Sequence, residues 1–532
     1  MKAAWFAGAA LALAISAPAL SAPAQPAPSL VDLAQAGDRA AVLKEIARKA
    51  DVNQASADDG STALLWAAHN DDAELVKALL GAGANAKAAN AFGDSPMREA
   101  ATSGDVEVLK ALLDAGADVE SPSPEGQTSL MIVARTANLD AAKLLLDRGA
   151  KVNAVEKYEH QSALMWAAEQ NQPAMVRLLI SKGADVNAVS RVHFNDVRVS
   201  AEPRVKYDPS GGLTPLMIAA REGCLDCAKA LVEAGAKVNA YDPDSVAPLF
   251  YSIWNAHFDL ASYLIKSGAD VNKWDFWGRT PLWGAVDYNT IPTGGRADRP
   301  SLDDTTSLDL IKQLLAAGAN PNARLKFFSP FRAIGNDRGG DLIFTTGATP
   351  LLRAARGGDV EVVQLLLKAG AKVDLPVERE WRDQVGGITP LMSASGLQNQ
   401  PNDTRGKFKT QAQAVAVIKL LIAAGADVNA KDDRGNSALH GAVLRGYNDV
   451  VKTLIEAGAD PYRANNEGKS AADAAKGPSF AVRGQIVEIS PATAKLIADL
   501  KPPPAPAAPG AGQKASAPAA KPATGQKVAA NR

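Results

Sequence analysis

Two cysteines, Cys224 and Cys227, are the residues of this chain whose type and spacing could support chemistry. They form a C-x-x-C motif at the start of a predicted helix, where two thiols can meet in a disulfide and the helix dipole lowers a thiol pKa. Three interpretations stay open: a small structural disulfide, buried free thiols, or redox or metal chemistry. A redox motif normally lies in a βαβ context, which this sequence lacks.

Other catalytic and metal-binding patterns are incomplete. The histidines are scattered and no H-E-x-x-H occurs, so we expect no dedicated zinc site. Gly468-Lys469-Ser470 resembles the end of a P-loop, but Arg463 stands where the first glycine is required. Asp337, Gly339 and Asp341 in a loop could suggest a cation site, but the interpretation that we favour is a polar turn. The sequence therefore predicts neither an enzyme nor a bound cofactor.

A Gly-Ala pair recurs along the chain and marks the predicted repeats that must position these residues. Steps of 33 or 34 residues separate the first four glycines of the pair, and the step of 33 returns twice later. The glycines are Gly83, Gly116, Gly149, Gly183, Gly235, Gly268, Gly318, Gly370, Gly425 and Gly458. A period of this length predicts stacked repeats, because each unit can bury its hydrophobic face only against its neighbours.

The clearest single repeat runs from Gly212 to Gly235. Thr214 before Pro215 predicts a helix N-cap followed by proline at the first helical position, where the missing N–H costs nothing. Gly223 ends this helix, and Gly235 provides a left-handed end to a second one. The sequence therefore predicts two antiparallel helices and an extended turn in each repeat.

These motifs identify a family. TPL occurs at Thr214, Thr280, Thr349 and Thr389, and GADVNA-like runs begin at 183, 268 and 425, so residues 29–500 resemble the ankyrin repeat family. The resemblance implies an all-α solenoid of about 11 to 12 helix-turn-helix repeats, including worn caps, with β-hairpin-like fingers. It also implies a non-enzymatic module or scaffold for protein–protein interaction.

One position departs from the family pattern. The histidine that usually follows TPL survives at His440, whereas other repeats hold different side chains there. Those residues are Leu65, Arg98, Met131, Met165, Met217, Phe250, Trp283, Leu352 and Met392. We expect apolar packing to replace most inter-repeat hydrogen bonds of that imidazole.

Five intervals exceed the regular period and contain extra chain. The insertions lie at about 188–211, 287–306, 323–346, 374–386 and 396–412. By their position relative to TPL, those at 188–211, 323–346 and 374–386 extend the fingers, and the other two separate paired helices. Because loops on a rigid scaffold commonly carry binding residues, these insertions are candidate binding elements.

Aromatic residues concentrate between the long fingers. Residues 241–288 hold 11 of the 28 aromatics, and Trp and Tyr are the residues most enriched at binding hot spots. The family resemblance places several of them on the concave groove and fingers of repeats 6 to 9. The predicted partner-binding residues are Tyr241, Trp254, Asn255, Trp274, Phe276, Trp277 and Arg279.

Two alternatives accompany this site. The long finger after Gly318, which contains Phe327, Phe328 and Phe331, could fold over Trp274 and Trp277 and make them a satellite core. The tryptophans could also stack on sugar faces, which would make the partner an envelope glycan or cell-wall polymer. Trp66 and Trp166 lie inside TPL-like helix starts, and we expect both to be core residues.

The two ends of the chain differ from the repeats. Residues 1–24 have the basic start, apolar run and small residues of a bacterial secretory signal peptide, which predicts a periplasmic or secreted protein without a membrane span. Residues 501–532 are rich in Pro, Ala and Lys and should be disordered. Since this tail and Lys2 carry six positive charges and no acid, the repeats carry about −7, which argues against nucleic acid as a partner.

Overall fold

The computed structural model describes residues 28–195, 208–290, 301–327, 346–379, 385–397, 410–476, 480–482, 485–487 and 491–500. These residues form 24 helices and two short antiparallel hairpins. They fall into two compact units, Met1–Ala285 with Pro300–Ala319, and Val286–Arg299 with Asn320–Arg532. The predicted signal peptide and the predicted tail lie outside the described residues.

The first unit is a succession of helix pairs. They are α1 (Leu30–Gln35) and α2 (Arg39–Ala47), α3 (Ala63–His69) and α4 (Ala73–Gly81), α5 (Pro96–Ser103) and α6 (Val106–Asp114), α7 (Ser129–Thr136) and α8 (Leu139–Asp147), α9 (Ala163–Glu169) and α10 (Pro173–Ser181), α11 (Pro215–Glu222) and α12 (Leu225–Glu233), and α13 (Pro248–Trp254) and α14 (Phe258–Lys266). The strands β1 (Val192–Asn195) and β2 (Asp208–Gly211) form a hairpin in which Val192 faces Gly211. This hairpin lies within the first predicted insertion.

The next pair is α15 (Pro281–Thr290) and α16 (Ser307–Ala316), and α15 begins in the first unit and ends in the second. The second unit continues with α17 (Pro350–Gly357) and α18 (Val360–Lys368), α19 (Pro390–Ala394) and α20 (Gln411–Ala423), α21 (Ala438–Leu444) and α22 (Asn448–Glu456), and α23 (Ala471–Lys476) and α24 (Pro491–Asp499). Between the last two helices, β3 (Phe480–Val482) pairs with β4 (Gln485–Val487). The succession of helix pairs confirms the predicted repeat fold.

The helix boundaries confirm the local sequence signals. Thr214 Oγ1 accepts the Met217 N–H at 3.3 Å, which satisfies one of the amides that a helix start leaves unpaired. The second helix of this repeat ends at Glu233, and Gly235 follows with φ +90°. That left-handed conformation favours glycine because it has no Cβ to clash, which explains the regular Gly-Ala pair.

The core lies between the helices of each pair and between successive repeats. In α11, Leu216, Met217 and Ala219 are fully buried, and in α12 Leu231 is fully buried. Helix α11 packs against both α9 and α13, the first helices of its two neighbours. Small alanines let these first helices approach closely, whereas leucine and valine fill the space beneath them.

Asparagine side chains tie successive repeats together. Asn239 Nδ2 donates to the Gly268 carbonyl at 3.1 Å, and its Oδ1 accepts the Asp270 N–H at 2.7 Å. We call this pair of bonds an Asn rung. The same two bonds recur at Asn53, Asn153, Asn187, Asn322 and Asn429. The VNA part of the repeat motif is therefore an inter-repeat link.

Histidine and methionine at the histidine position make different hydrogen bonds. His440 Nδ1 accepts the Ser437 N–H at 3.1 Å, and its Nε2 lies 3.3 Å from the Lys469 carbonyl of the next repeat. At Met131 and Met217 the thioether sulfur accepts the corresponding N-cap amide at 3.4 and 3.5 Å. Methionine thus reproduces the local bond that His440 Nδ1 makes, but it does not reproduce the contact of His440 Nε2 with the next repeat. In these repeats the Asn rungs provide the link to the next repeat.

Residues 301–305, just before α16, pack back onto the preceding repeat. Ser301 Oγ donates to the Ala256 carbonyl at 2.7 Å, and Asp303 Oδ2 accepts the Asp259 N–H at 2.9 Å. Asp259 in turn accepts the Thr305 N–H at 2.9 Å. Because His257 gives α14 no side-chain cap, Asp303 supplies the missing acceptor at that helix start.

Candidate functional site

The predicted site residues lie at the end of α13 and on two neighbouring fingers of the first unit, after α12 and after α14. Each finger turns around a buried aspartate: Asp242 Oδ1 accepts the Val246 N–H at 2.8 Å, and Asp275 Oδ1 accepts the Arg279 N–H at 2.8 Å. The Phe276 N–H donates to the Asp244 carbonyl at 2.8 Å. This bond fixes one finger against the other.

The base of the site is a buried cation held between rings. Arg279 is 4% exposed, and its Nη2 lies 2.6 Å from Asp275 Oδ2. The guanidinium carbon lies 4.0 Å from the ring centroid of Trp254 and 4.8 Å from that of Trp277. A guanidinium stacks well on indole faces, and the aspartate neutralises its charge. We call Trp254, Trp277, Asp275 and Arg279 the ring clamp.

Three rings above the clamp are open to solvent. Tyr241 is 61% exposed, Trp274 is 45% exposed and Phe276 is 43% exposed. We call these three residues the finger-tip patch. The Lys273 ammonium lies 4.0 Å from the Tyr241 ring centroid, and the Phe276 ring meets Trp277 edge-on at 5.4 Å. Patch and clamp are therefore in direct contact.

Asn255 lies beside the clamp at the end of α13. It is exposed, and its side-chain amide donates to the Tyr251 carbonyl at 2.9 Å. The neighbouring ring of Trp254 is half-buried and stacks on Phe250, with centroids 5.7 Å apart. The end of α13 and the finger after α14 thus contribute to one surface.

Burial dominates the titration of the acids beneath the patch. Burial raises the pKa of Asp275, and the charge of Arg279 opposes this shift. Burial also raises the pKa of Asp242, although the Tyr251 hydroxyl donates to its Oδ2 at 2.6 Å. Burial is the main cause of a raised pKa for Tyr251 as well, followed by the charge of Asp242. These three groups are therefore largely buried and bonded to neighbouring side chains.

The predicted site residues thus divide into residues at the surface and a buried residue, Arg279, that supports them. The structure brings all seven together on adjacent repeats, but Arg279 is buried and bound to Asp275, so it supports the rings instead of presenting a cation to solvent. Sequence reasoning could not separate these roles because a buried arginine needs a partner that only the folded turn supplies.

The predicted covering residues Phe328 and Phe331 lie outside the described residues, whereas Phe327 is 40% exposed.

Comparison with known proteins agrees with this architecture. The family described as ankyrin repeats (3 copies) matches residues 30–123, 117–190 and 195–275, ankyrin repeats (many copies) matches 421–475, and ankyrin repeat matches 346–376 and 386–433. Together these matches cover more than half of the chain. The chain belongs to the ankyrin repeat family.

Individual relatives are distant. A putative ankyrin repeat protein of fowlpox virus (strain NVSL) is 35% identical over 102 residues, which are 18% of this chain and 18% of the viral protein. The chain therefore matches less than a fifth of the length of this curated relative. The crystal structure of the human ASB11 ankyrin repeat domain has 19% identity and a TM-score of 0.37, and the match covers 45% of this chain and 98% of that domain.

In this ankyrin repeat protein the two cysteines form a disulfide. Cys224 and Cys227 are bonded, with Cα atoms 5.2 Å apart, and Cys224 Sγ also accepts the Cys227 N–H as the cap of α12. Both residues are almost fully buried, at 1% and 0% exposure. Of the three interpretations left open by the sequence, the structure contains the disulfide, and its burial is that of a structural bond.

Two tryptophans that the sequence assigns to the core lie elsewhere in the ankyrin repeat. Trp66 and Trp166 are half-buried, whereas the neighbouring alanines at 67, 68, 167 and 168 are fully buried. The Trp66 ring meets His69 edge-on at 5.4 Å, and the guanidinium of Arg135 lies 5.2 Å from the Trp166 ring centroid. The expectation of two core residues was therefore wrong.

The described residues also bear on two other functions, metal binding and membrane insertion. No group of three or more His, Cys, Asp or Glu side chains in these ranges is placed to hold a metal ion. None of the described helices combines the length and the apolar character needed to cross a bilayer.

A shallow groove between α4 and α6, of about 500 Å³, is lined by Lys77, Glu107, Lys110 and Asp114 among others. Its mixed charges indicate no particular ligand.

Proposed function

We propose that this ankyrin repeat protein binds a protein partner through the finger-tip patch together with Trp254 and Asn255, and that it has no chemistry of its own. Ankyrin repeats generally mediate protein–protein interaction. The observation that carries the proposal is the 43–61% exposure of three aromatic rings on adjacent fingers. Exposed aromatic groups of this kind form the hot spots of many interfaces.

The ring clamp supports this proposal energetically. Binding costs free energy when mobile side chains become ordered, and rigid groups avoid much of that cost. Phe276 packs against Trp277, and Trp277 is held by Arg279, so part of the patch is ordered before a partner arrives. Tyr and Trp also offer a polar atom at the edge of a large apolar ring, which suits a surface that must be wet when free.

We further propose that the protein acts in the bacterial periplasm or after secretion. The apolar leader predicted at 1–24 supports this location, and the buried disulfide is consistent with an oxidising compartment. Removal of the leader would leave the repeats and the tail as the mature protein. N-terminal sequencing of protein recovered from the periplasm tests this directly, since the full-length start would contradict it.

Site-specific photocrosslinking tests the binding proposal. A benzophenone amino acid replaces Phe276 in one variant, and in a matched control it replaces Phe92, which is 70% exposed on a distant finger of the same unit. We expect a protein to crosslink at 276 and not at 92 when each variant is added to envelope extract. Equal crosslinking at both positions would contradict the proposal.

The captured protein, once identified and purified, allows a quantitative test. The triple substitution Tyr241→Ala, Trp274→Ala and Phe276→Ala should weaken its binding at least tenfold, since truncation of a single hot-spot residue costs about 2 kcal/mol or more. Phe92→Ala with Tyr158→Ala, both 70% exposed in the wild type, is the control and should change binding little. Competition by soluble glycans would instead favour the envelope-polymer alternative.

A further inference from the structure

Asp374 is an exception among the rungs of the second unit. It occupies the place that Asn322 and Asn429 occupy in the neighbouring repeats. Its Oδ2 accepts the Asp427 N–H at 3.2 Å, which is the bond that an Asn Oδ1 makes in a normal rung. One half of the rung is therefore present.

The other half is missing. Asn322 Nδ2 donates to the Gly370 carbonyl at 3.1 Å, and Asn429 Nδ2 donates to the Gly458 carbonyl at 2.9 Å. The same register makes the Gly425 carbonyl the expected partner of Asp374 Oδ1, and this oxygen is buried without a hydrogen-bond partner. An ionised carboxylate has no proton to donate, so two acceptors confront each other, whereas a protonated carboxyl can donate.

Charge in the adjoining repeat acts in the same direction. Burial is the main cause of a raised pKa for Asp374, and the negative charge of Asp427 raises it further, while the Asp427 N–H opposes the shift. Among the described residues, Asp427 is the charged side chain whose field contributes to this shift. Geometry and charge both favour the protonated form.

We propose that Asp374 is a pH-responsive rung: its protonation closes a hydrogen bond to the Gly425 carbonyl and tightens the junction between the repeats of α18 and α20, and its ionisation loosens that junction. Gly386 lies at the same junction, where its N–H donates to Asp433 Oδ2 at 3.1 Å.

Hydrogen exchange of the full chain tests the proposal without any substitution. The protection factor of the Asp427 amide, corrected for the intrinsic exchange rate, should rise as the pH is lowered from 7.5 and Asp374 takes up its proton, by up to about tenfold, the factor expected for one added hydrogen bond. The Lys372 and Asp460 amides, which bond to Asn322 and Asn429, are internal references and should change little. A flat response at Asp427, or a parallel rise at all three amides, would overturn the proposal.

Two substitutions isolate the carboxyl. Asp374→Asn should give high protection at Asp427 at both pH values, because the carboxamide donates without titrating. Asn322→Asp places the same defect in the preceding rung and should create a similar pH response at the Lys372 amide. If Asp374→Asn keeps the wild-type pH response, another group is responsible and the proposal is wrong.

Discussion

Arg279 and Trp254 form the central contact of the candidate site, with the guanidinium carbon 4.0 Å from the indole centroid. The contact links the end of α13 to the turn of the following finger. Because Arg279 is bound by Asp275 at 2.6 Å, its position is fixed by the finger itself. Phe276 at the surface thus packs on Trp277, which in turn contacts the buried ion pair.

This relationship predicts that Arg279→Met strongly destabilises the first unit. The substitution leaves Asp275 buried without its cation, and breaking a buried pair in this way commonly costs about 3 to 5 kcal/mol. A clear fall in the urea midpoint, measured by tryptophan fluorescence, is expected. Adding Asp275→Asn to Arg279→Met should recover part of the loss, since the charge is then removed.

Arg48→Ala is the matched control for this measurement. The side chain of Arg48 is 61% exposed, and surface substitutions of this kind usually change the free energy of unfolding by less than about 0.5 kcal/mol. Equal effects of the substitutions at Arg48 and Arg279 would show that the ring clamp does not support the fold.

The disulfide should stabilise its repeat modestly. The loop that it closes is very short, with a sequence separation of 3, so the chain-entropy model gives about 2 kcal/mol. Cys224→Ser with Cys227→Ala keeps a hydrogen-bonding cap on α12 and removes the bond. We expect a lower urea midpoint for this variant and unchanged partner binding.

Reductant provides the control for the disulfide. It should lower the midpoint of the wild-type protein under conditions where unfolding exposes the bond, and it should leave the double variant unchanged. A loss of partner binding in the folded variant would instead support a direct role for Cys224 and Cys227 in function.

The Asn rungs should carry a measurable part of the inter-repeat stability. Asn239→Ala removes the bonds to Gly268 and Asp270, and two exposed bonds together contribute about 1 to 2 kcal/mol. Because nearest-neighbour terms dominate repeat proteins, we expect broader as well as earlier unfolding. Asn255→Ala, which removes a bond within α13 and its cap, is a control with no inter-repeat bond and should not broaden the transition.

His440 should make the second unit sensitive to acid. Burial lowers its pKa below the usual 6.5, so the folded protein binds this proton less readily than the unfolded chain. Its contribution is complete above the unfolded pKa and is lost as pH falls through the lower folded pKa. Thermal midpoints between pH 7.5 and 5 should therefore fall less steeply in His440→Met than in the wild type.

The choice of methionine in that test follows the chain itself, in which Met131 and Met217 occupy the same place and accept the cap amide. Parallel pH profiles for His440→Met and the wild type would assign the acid sensitivity to other groups. Asp374 acts in the opposite direction, so the exchange measurement at Asp427 separates the two effects.

Much of the candidate site could be predicted from the sequence, but its internal division could not. Tyr241, Trp274 and Phe276 are recognisable because aromatics at finger positions have few local neighbours. The burial of Arg279 and the half-buried position of Trp66 depend on which side chains fill the space around them. Those neighbours come from other turns and repeats, so residue type alone does not decide the outcome.

The sequence by itself determined the repeat unit, because helix caps, the N1 proline and the Gly-Ala ends act over a few residues and recur at a fixed period. It also marked the insertions and the aromatic segment. Only the tertiary structure decided that Arg279 supports the rings, that Met131 and Met217 cap their helices through sulfur, and that Asp374 lacks half of its rung. Each of these depends on the distance and hydrogen-bonding capacity of atoms brought together by folding, which neither spacing nor composition specifies.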